Sequence, residues 1–261
     1  MPILENRPIS DISALELLEI LQKLEKAGKT ETTHKLLQNC RGIFQRAVIT
    51  KRASYNPAFD LQGVLKPHIT KHYPTIGHNQ LPDFLEKLEE VKTTEINRLA
   101  VKILMHSFVR TGELRKSKWA DVNFKSGEWF FPADIMKNRL PHIVLLSKQL
   151  IELLRQLQRI TGNSEYLLPS QNLQKNPIMS ENTINSVIHD MGYKGELVGH
   201  GFRAMASTIL NERGFNPDAV EVQLAHKCSN KVRAAYNHAQ YLPERRQMMD
   251  WWGDFIEGVG K

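Results

Sequence analysis

Two short segments of the sequence carry cations at positions that suit the chemistry of phosphate groups. Arg110 opens the segment RTGELR directly after an apolar stretch, and a guanidinium presents a planar fork of donors that matches phosphate oxygens. His200 and Arg203 lie three residues apart, so both project from one face of a helix that begins there. Because the free N–H groups of a helix N-terminus also attract anions, these residues favour binding of a phosphate.

Three further residues could supply proton transfer and a nucleophile. Lys137 lies in a turn between two predicted strands, where it could act as a general acid if held near a leaving oxygen. His226 ends the segment QLAH, and Tyr236 follows ten residues later. A tyrosine hydroxyl, with a reference pKa of about 10, is a weak nucleophile near neutral pH. It would therefore need charge stabilisation and an oriented phosphate in order to attack.

Taken singly, each of these residues also has an ordinary structural explanation. The helix dipole favours an arginine at a helix C-terminus, a lysine on a turn aids solubility, and a histidine can cap a helix. A tyrosine in a helix is usually a half-buried packing residue. The individual motifs leave both interpretations open, and their combination must decide.

The sequence lacks the common patterns that bind metals or nucleotides. His226 and Cys228 are two residues apart, but no second cysteine lies near enough for a zinc pattern, and HExxH is absent. No Walker-type or dinucleotide-binding glycine loop occurs either. We therefore expect neither a metal nor a cofactor.

The composition is that of a globular protein with an excess of positive charge. The 261 residues include 35 Lys and Arg against 28 Asp and Glu, a net charge of +7. Such an excess favours polyanions, although a solvated basic face would also explain it. No stretch approaches the roughly 20 apolar residues of a membrane helix, and the N-terminus lacks a secretory pattern. With two cysteines far apart in the chain, we expect a cytoplasmic protein.

The N-terminal part predicts a small helical domain. Ser13 and Glu16 form a capping-box pattern ahead of leucines at helical spacing, and Gly28 marks the predicted end of that helix. A second helix is predicted over about residues 32–49, with a short helical piece after Pro57. The basic residues along and after the second helix either form a solvated face or contact a polyanion: Lys35, Arg41, Arg46, Lys51 and Arg52.

Prolines and glycines over about residues 66–80 indicate a linker, so we predict two domains, residues 1–75 and 76–261. The second domain opens with two helices, about 81–91 and 94–109. Three short strands, 119–124, 128–131 and 142–146, predict a small antiparallel sheet. Helices are expected at about 148–161, 180–190, 201–213, 217–226 and 231–238. The predicted fold class is mainly α with a small antiparallel β-sheet.

A run of apolar residues lies near the C-terminus, comprising Met248, Met249, Trp252, Phe255 and Ile256. Such a run either docks on a neighbouring protomer or packs on its own domain. The sequence leaves both arrangements open.

Together, these motifs resemble the catalytic domain of the tyrosine recombinases, the phage integrase family. Five boxes of that family occur here in the family's order, namely Arg110 with WADV at 119–122, the hairpin lysine Lys137, the H-x-x-R pair His200 and Arg203, LAH at 224–226, and Tyr236. Five ordered boxes are far more specific than any one of them.

The finer wording is similar to the prophage and genomic-island integrases. The phrases that carry this likeness are KNRLPHIVLLS at 137–147, HGFRAMAST at 200–208 and VRAAYNHAQYLPERR at 232–246. Residues up to about 75 resemble the family's helical core-binding domain. We expect that domain to be truncated here and to lack the arm-binding domain that normally precedes it.

The resemblance implies a site-specific recombinase that integrates or excises a prophage or genomic island. Tyr236 would attack a DNA phosphorus and form a 3′-phosphotyrosyl bond. Arg110 and Arg203 would bind the non-bridging oxygens, and Lys137 would protonate the departing 5′-oxygen. Because a 5′-hydroxyl can reverse the attack, no nucleotide is needed to rejoin the strands.

The resemblance also implies roles for the remaining polar residues. His200 would accept or share the tyrosine proton, and His226 would donate to a phosphate oxygen. Glu113 is expected to orient its neighbours rather than to touch DNA. Tyr241 is a rival nucleophile, although its position five residues later suits packing better.

The implied partner is a double-stranded DNA attachment site, which a homotetramer binds in the synaptic complex. Free of DNA, the protein is expected to be a monomer. A host DNA-bending factor or an excisionase would assist, and no membrane is involved. We expect the protein at the nucleoid, with the basic residues of the second helix on DNA phosphates. The alternatives are a truncated, non-catalytic DNA-binding remnant of an integrase and a strand transferase like type IB topoisomerases.

Overall fold

The structure is a computed structural model that describes residues 4–67, 73–170, 176–226 and 240–260. The chain forms two compact units, Met1–His72 and Tyr73–Lys261. In the parts of the chain that are described, no helix combines the length and the apolar character needed to cross a membrane.

Two helices that pack on each other, α1 (Ala14–Lys26) and α2 (Thr30–Ile49), make up most of the first unit. The predicted capping box of α1 is confirmed, because the Ser13 hydroxyl accepts from the backbone N–H of Glu16 and the Glu16 carboxylate accepts from the backbone N–H of Ser13. The helix ends before Gly28, whose φ of 74° is the left-handed conformation that glycine adopts without strain.

A small apolar core joins α1, α2 and the chain that follows them. Its buried residues are Ile12, Leu17, Leu21, Leu37, Phe44, Ala58, Leu61 and Leu65. Residues 57–65 form turns and bends rather than the predicted helical piece. Side-chain bonds to the backbone shape this segment instead, since Arg41 Nε donates to the Ala58 carbonyl (3.1 Å) and Asn56 Nδ2 donates to the Arg41 carbonyl (3.0 Å).

The second unit is built around α4 (Glu95–Ser107), which follows α3 (Leu81–Glu90) and is buried along most of its length. Thr94 caps its start through a side-chain bond to the N–H of Asn97. At its end Phe108 takes a left-handed conformation with φ 47°, and the chain turns sharply into the short helix α5 (Thr111–Lys116). This turn places Arg110 at the first position before α5.

The sheet has three antiparallel strands in the order β1 (Val122–Asn123), β2 (Glu128–Phe131) and β3 (His142–Leu145). Trp129 and Phe131 are fully buried, and Phe130 between them is exposed. This alternation is expected of a strand with one face on the core. The predicted strand over 119–124 was mostly wrong. Residues 119–121 form a turn of 3₁₀ helix, because the indole of Trp119 donates to the Thr161 carbonyl (3.1 Å) and its backbone N–H to that of Glu165.

The remaining described elements are helical. They are α6 (Lys148–Thr161), α7 (Thr183–Ile188) with one turn of π helix at His189–Tyr193, α8 (Gly201–Glu212), α9 (Pro217–Gln223) and α10 (Leu242–Val259). Asn216 caps α9 as its Asn-Pro sequence suggests. The predicted helix over 231–238 lies outside the described residues.

The apolar run near the C-terminus packs on its own domain. Met248, Met249 and Trp252 are fully buried on the inner face of α10, and the Trp252 indole donates to the Met105 carbonyl in α4 (3.2 Å). Its ring meets Phe108 edge to face at 5.2 Å. Of the two arrangements that the sequence left open, the structure therefore has the intramolecular one.

Acid should weaken this unit through His106, which is 6% exposed on α4 and has an Nδ1 without a hydrogen-bond partner among the described residues. Burial, aided by the charge of Lys102, lowers the pKa of His106 to about 4. The unfolded chain, with a histidine pKa near 6.5, binds that proton more tightly. The contribution of neutral His106 to the free energy of unfolding is thus fully present above pH 6.5. It falls by about 3 kcal/mol as the pH drops to 4.

The substitution His106→Leu should remove that part of the pH dependence. Urea denaturation followed by tryptophan fluorescence at pH 7, 5.5 and 4.5 measures the free energy of unfolding for both proteins. The exposed His189, replaced by Gln, is the control and should keep the wild-type slope. Equal slopes for all three proteins would contradict the assignment to His106.

Candidate catalytic site

Arg110 is oriented by the residue three positions further along α5. The backbone N–H of Arg110 donates to Glu113 Oε2 (2.9 Å) and its Nη1 donates to Glu113 Oε1 (2.6 Å). The other terminal nitrogen, Nη2, donates to the carbonyl oxygen of Ala225 (3.3 Å). Because the Glu113 side chain is only 5% exposed, this pair is poorly screened by water and holds the guanidinium in one direction.

Arg203 lies on α8 and is 3% exposed. Its Nη1 donates to the Phe108 carbonyl and its Nη2 to the Leu224 carbonyl (2.5 Å). Burial, and next the charge of Arg110, lower the pKa of Arg203 to about 10, so it is charged at neutral pH. Its Nε is buried and has no hydrogen-bond partner among the described residues.

The C-terminal end of α9 is the point at which these groups meet. Three consecutive carbonyls accept from three different side chains: Gln223 from His142 Nε2 (3.1 Å), Leu224 from Arg203 and Ala225 from Arg110. The last carbonyls of a helix lack partners within the helix and carry the negative end of its dipole. They therefore hold two cations close together that would otherwise repel each other.

Two of the carbonyls that accept from the arginines belong to residues in a strained backbone conformation. Phe108 and Ala225 have φ angles of 47° and 50°, in the left-handed region that side chains other than glycine rarely adopt. Each such residue costs on the order of 1 kcal/mol, a strain that is common at functional sites. Here the strain aims the Phe108 oxygen at Arg203 and the Ala225 oxygen at Arg110.

His200 stands at the start of α8, one turn before Arg203. Its ring packs on Tyr73 with 4.5 Å between ring centroids. Burial, followed by the charges of Arg203, Arg110, His226 and Lys137, lowers the pKa of His200 to about 4. The imidazole is thus neutral at pH 7, because burial and then the positive charges around it disfavour its protonated form.

His226 lies just after α9, half exposed, with its Nδ1 3.0 Å from Glu221 Oε2. A carboxylate only accepts, so Nδ1 carries the proton of the neutral ring and Nε2 carries the lone pair. Burial, and then the charge of Arg203, lower the pKa of His226 against the opposing effect of Glu221. The free protein therefore presents Nε2 of His226 as an acceptor.

The structure brings together five of the six catalytic candidates. Arg110 and Arg203 are joined through the carbonyls at the end of α9. His200 and His226 are linked to both arginines by the charge effects given above. Lys137 lies in the exposed turn between β2 and β3, from which its charge acts on His200. Tyr236 lies outside the described residues. The rival Tyr241 is at the start of α10, where its hydroxyl donates to Asp218 on α9 (3.3 Å).

Sequence reasoning missed a second layer of polar residues behind the arginines. His142, at the start of β3, has a pKa of about 3, lowered by burial and by the charges of Arg245, Arg203 and Arg110 against the bond to Gln223. Gln223 and Arg245 are both buried and bonded to each other. Their types alone give no signal, since only the fold reveals that they are buried.

The assembled site is a cationic cradle, with two fixed guanidiniums, three neutral histidines and a lysine at its edge. Within the described ranges, no group of three or more His, Cys, Asp or Glu side chains is placed to hold a metal ion. The donors point to an anion as ligand, and their fixed geometry is of the kind that stabilises charge developing on the oxygens of a reacting group.

Comparisons with known proteins agree with the resemblance in the sequence. Residues 74–242 match the phage integrase family and residues 1–64 match the phage integrase central domain. The integrase of Shigella phage Sf6 and the prophage integrase IntS of Escherichia coli K12 are each 40% identical over 98% of this chain. The chain spans 67% of the length of each of these relatives.

Solved structures share the fold at low identity. Lambda integrase residues 75–356, in a dimer bound to a COC′ core site, superposes with a TM-score of 0.67 at 16% identity and covers 85% of this chain and 82% of its own. The Tn1549 transposon integrase in complex with circular intermediate DNA has a TM-score of 0.66 at 17% identity, covering 95% and 90%. The fold class predicted from the sequence is confirmed.

The family matches cover both units of the chain, and the relatives are integrases of phages and prophages. The chain therefore belongs to the phage integrase family of tyrosine site-specific recombinases, in its prophage integrase branch.

Proposed function

We propose that this recombinase cuts and rejoins double-stranded DNA through a covalent 3′-phosphotyrosyl bond to Tyr236. The observation that carries the proposal is the cationic cradle, in which the end of α9 holds Arg110 and Arg203. Burial and the charges of these arginines lower the pKa of His200. A DNA phosphodiester is the anion that such a cradle suits. Family membership supports the reaction class, and the order of the boxes supports Tyr236 as nucleophile.

The two arginines would act on the non-bridging oxygens of the phosphate. As the bond from Tyr236 oxygen to phosphorus forms and the bond from phosphorus to the 5′-oxygen breaks, negative charge builds on those oxygens. Glu113 and the carbonyl oxygens of Phe108, Leu224 and Ala225 already orient the guanidiniums. Little reorganisation is then needed in the transition state.

The two histidines would handle protons and the phosphate. His200, neutral at pH 7, can accept or share the tyrosine proton. His226 can donate to a phosphate oxygen from Nε2 only after it gains a second proton, since Nδ1 already bonds to Glu221. A phosphate bound beside it favours that proton, because a nearby negative charge raises the pKa of an imidazole.

Lys137 would protonate the departing 5′-oxygen as the general acid. Lys137 lies in an exposed turn, and its charge acts on His200. This supports a place for Lys137 at the edge of the cradle, where the leaving group would depart. Rejoining would run the steps in reverse, with an incoming 5′-hydroxyl attacking the phosphotyrosyl bond and Tyr236 leaving.

The basic residues of α2 and the turn after it would contact the DNA backbone, which positions a protein without reading sequence. Arg46, Lys51 and Arg52 are exposed and suit this role. Lys35 is also bonded to Glu31 (2.5 Å), and Arg41 also holds the Ala58 carbonyl, so both have structural bonds that DNA would have to share.

We further propose a homotetramer on two attachment sites, acting on bacterial or phage DNA in the cytoplasm and integrating or excising a prophage or genomic island. The tetramer of lambda integrase bound to a Holliday junction shares this fold, with a TM-score of 0.68. A DNA-bending host factor or an excisionase would assist. A non-catalytic remnant and an enzyme like type IB topoisomerases remain the competing outcomes of the tests below.

Covalent trapping tests the nucleophile. The protein is mixed with nicked duplexes that carry candidate attachment cores and release a short strand on cleavage, and adducts are counted on denaturing gels. We expect an adduct with wild type and Tyr241→Phe but none with Tyr236→Phe. Loss in Tyr241→Phe alone would reassign the nucleophile. DNA binding without an adduct on a cognate core would favour the non-catalytic remnant, and relaxation of plasmid without site preference would favour the topoisomerase.

A substrate with a better leaving group tests the role of Lys137. Replacing the 5′-bridging oxygen by sulfur gives a leaving group that needs no protonation, so loss of a general acid should matter little. We expect Lys137→Ala to slow cleavage of normal DNA by about 10²-fold or more and to cleave the sulfur substrate at nearly the wild-type rate. Arg203→Lys is the control and should stay slow on both substrates. Equal defects for Lys137→Ala on both substrates would exclude the role.

Salt titration tests the DNA contacts of the first unit. Each lost phosphate contact should reduce the slope of log K against log salt concentration by about 1. We expect that change for Arg46→Ala and for Arg52→Ala, measured by fluorescence anisotropy on duplex DNA. Lys26→Ala, an exposed lysine on α1, is the matched control. Unchanged slopes for Arg46→Ala and Arg52→Ala would mean that this face is solvated and makes no contact with DNA phosphates.

A further inference from the structure

We infer that the side chains of Arg245 and Gln223 form a clasp that positions the chain carrying Tyr236 relative to the phosphate-binding arginines. Resting on the proposed function, the inference adds two positioning residues to it. Neither residue would touch the DNA. Both would act by joining the described residues on either side of the segment that contains Tyr236.

Arg245 lies on α10 and is fully buried. Its Nε donates to Gln223 Oε1 (2.9 Å), its Nη1 donates to the Gln240 carbonyl (3.1 Å) and its Nη2 donates to the Ile143 carbonyl. One side chain thus joins the end of α9, β3 and Gln240, which lies two residues before α10.

Two of these contacts flank the proposed nucleophile in the sequence. Gln223 ends α9, and Gln240 is the first described residue after Tyr236. The chain therefore leaves the clasp at Gln223 and returns to it at Gln240. Arg245 thus fixes described residues on both sides of Tyr236 in the sequence.

The clasp is also bonded to the phosphate-binding cradle. The backbone carbonyl of Gln223 accepts from His142, and the next two carbonyls accept from Arg203 and Arg110. The Ile143 carbonyl that accepts from Arg245 belongs to the residue after His142. A shift of Arg245 would consequently move Gln240 relative to the arginines without removing any donor to the phosphate.

Burial of a guanidinium at this place is hard to explain by packing alone. Among the described residues, no carboxylate forms a salt bridge with Arg245, and an apolar side chain of similar volume avoids the desolvation of a charge. What the guanidinium provides is direction, because its donors lie in a fixed plane. A nucleophile that must reach a phosphorus in line needs such a fixed direction, since misplacement by about 1 Å can slow a reaction about 10²-fold.

Arg246, the neighbour of Arg245, provides a matched control. It is also an arginine of α10 that holds backbone carbonyls, with Nη1 donating to Gly127 (2.9 Å) and Leu146 (3.2 Å) and Nη2 to Ser126 (3.1 Å). These carbonyls belong to the β1–β2 turn and the end of β3, away from both Gln223 and Gln240. Arg246→Met should weaken packing of α10 to a similar degree without opening the clasp.

The experiment compares two nucleophiles on the same DNA. Tyrosine-dependent cleavage is the rate of adduct formation with nicked attachment cores. In a Tyr236→Phe background, hydrogen peroxide serves as a small diffusible nucleophile whose attack on phosphorus releases the 5′-hydroxyl strand without an adduct. Only the first reaction needs the tyrosine in position, whereas both need the phosphate-binding arginines. The ratio of the two rates therefore reports positioning alone.

We expect Arg245→Met and Gln223→Leu each to lower the tyrosine-dependent rate about 10- to 100-fold while the peroxide rate changes less than about threefold. Gln223→Glu should retain most of the tyrosine-dependent rate. It keeps an acceptor oxygen for Arg245 and loses only Nε2, which has no partner among the described residues. Arg246→Met should leave the ratio at its wild-type value.

Equal losses in both reactions, or an unchanged ratio in both Arg245→Met and Gln223→Leu, would overturn the clasp. Because two residues are tested, failure of one variant to fold leaves the other to decide. A wild-type protein that forms no adduct on a cognate core would overturn the proposed function itself, a result distinct from any change of ratio among active variants.

Discussion

The arrangement of the catalytic unit depends on the last carbonyls of α9. Two guanidiniums placed side by side repel each other, and burial strengthens that repulsion. The carbonyls of Leu224 and Ala225 offset it by accepting one hydrogen bond from each arginine, while Glu113 supplies a countercharge to Arg110 from the other side. The helix end thus substitutes in the free protein for the negative charge that a ligand brings.

Much of the fold could be predicted because it follows from local patterns. The capping box of α1, the Asn-Pro start of α9 and the alternation in β2 are each written in adjacent residues. The strand predicted over 119–124 failed because bonds from Trp119 to Thr161 and Glu165, some forty residues away, impose a 3₁₀ turn. Propensity within a short window carries no information about such distant partners.

The candidate site likewise contains residues that local motifs identify and residues that only distant contacts identify. Ordered motifs identify Arg110, Lys137, His200, Arg203 and His226 together, and the structure groups all five. Their catalytic roles stay predictions. The supporting layer of His142, Gln223 and Arg245 could not be predicted, because the hydrogen bonds that join these residues and Ile143 span 22 to 102 residues of the chain. The motifs contain the residues that are proposed to meet the substrate, whereas the residues that orient them are recognisable only in the folded chain.

The contact between Tyr73 and His200 has a practical consequence for dividing the chain. Tyr73 packs on the imidazole, and Thr75 donates to the Gly201 carbonyl (2.9 Å). A Cβ at Gly201 would lie 2.4 Å from the Pro74 carbonyl oxygen, so backbone and backbone fit closely at this point. Residues 73–75 therefore form one wall of the surroundings of His200. A fragment that begins at residue 73 retains this wall, and one that begins at residue 76 loses it and exposes more of the His200 ring to water.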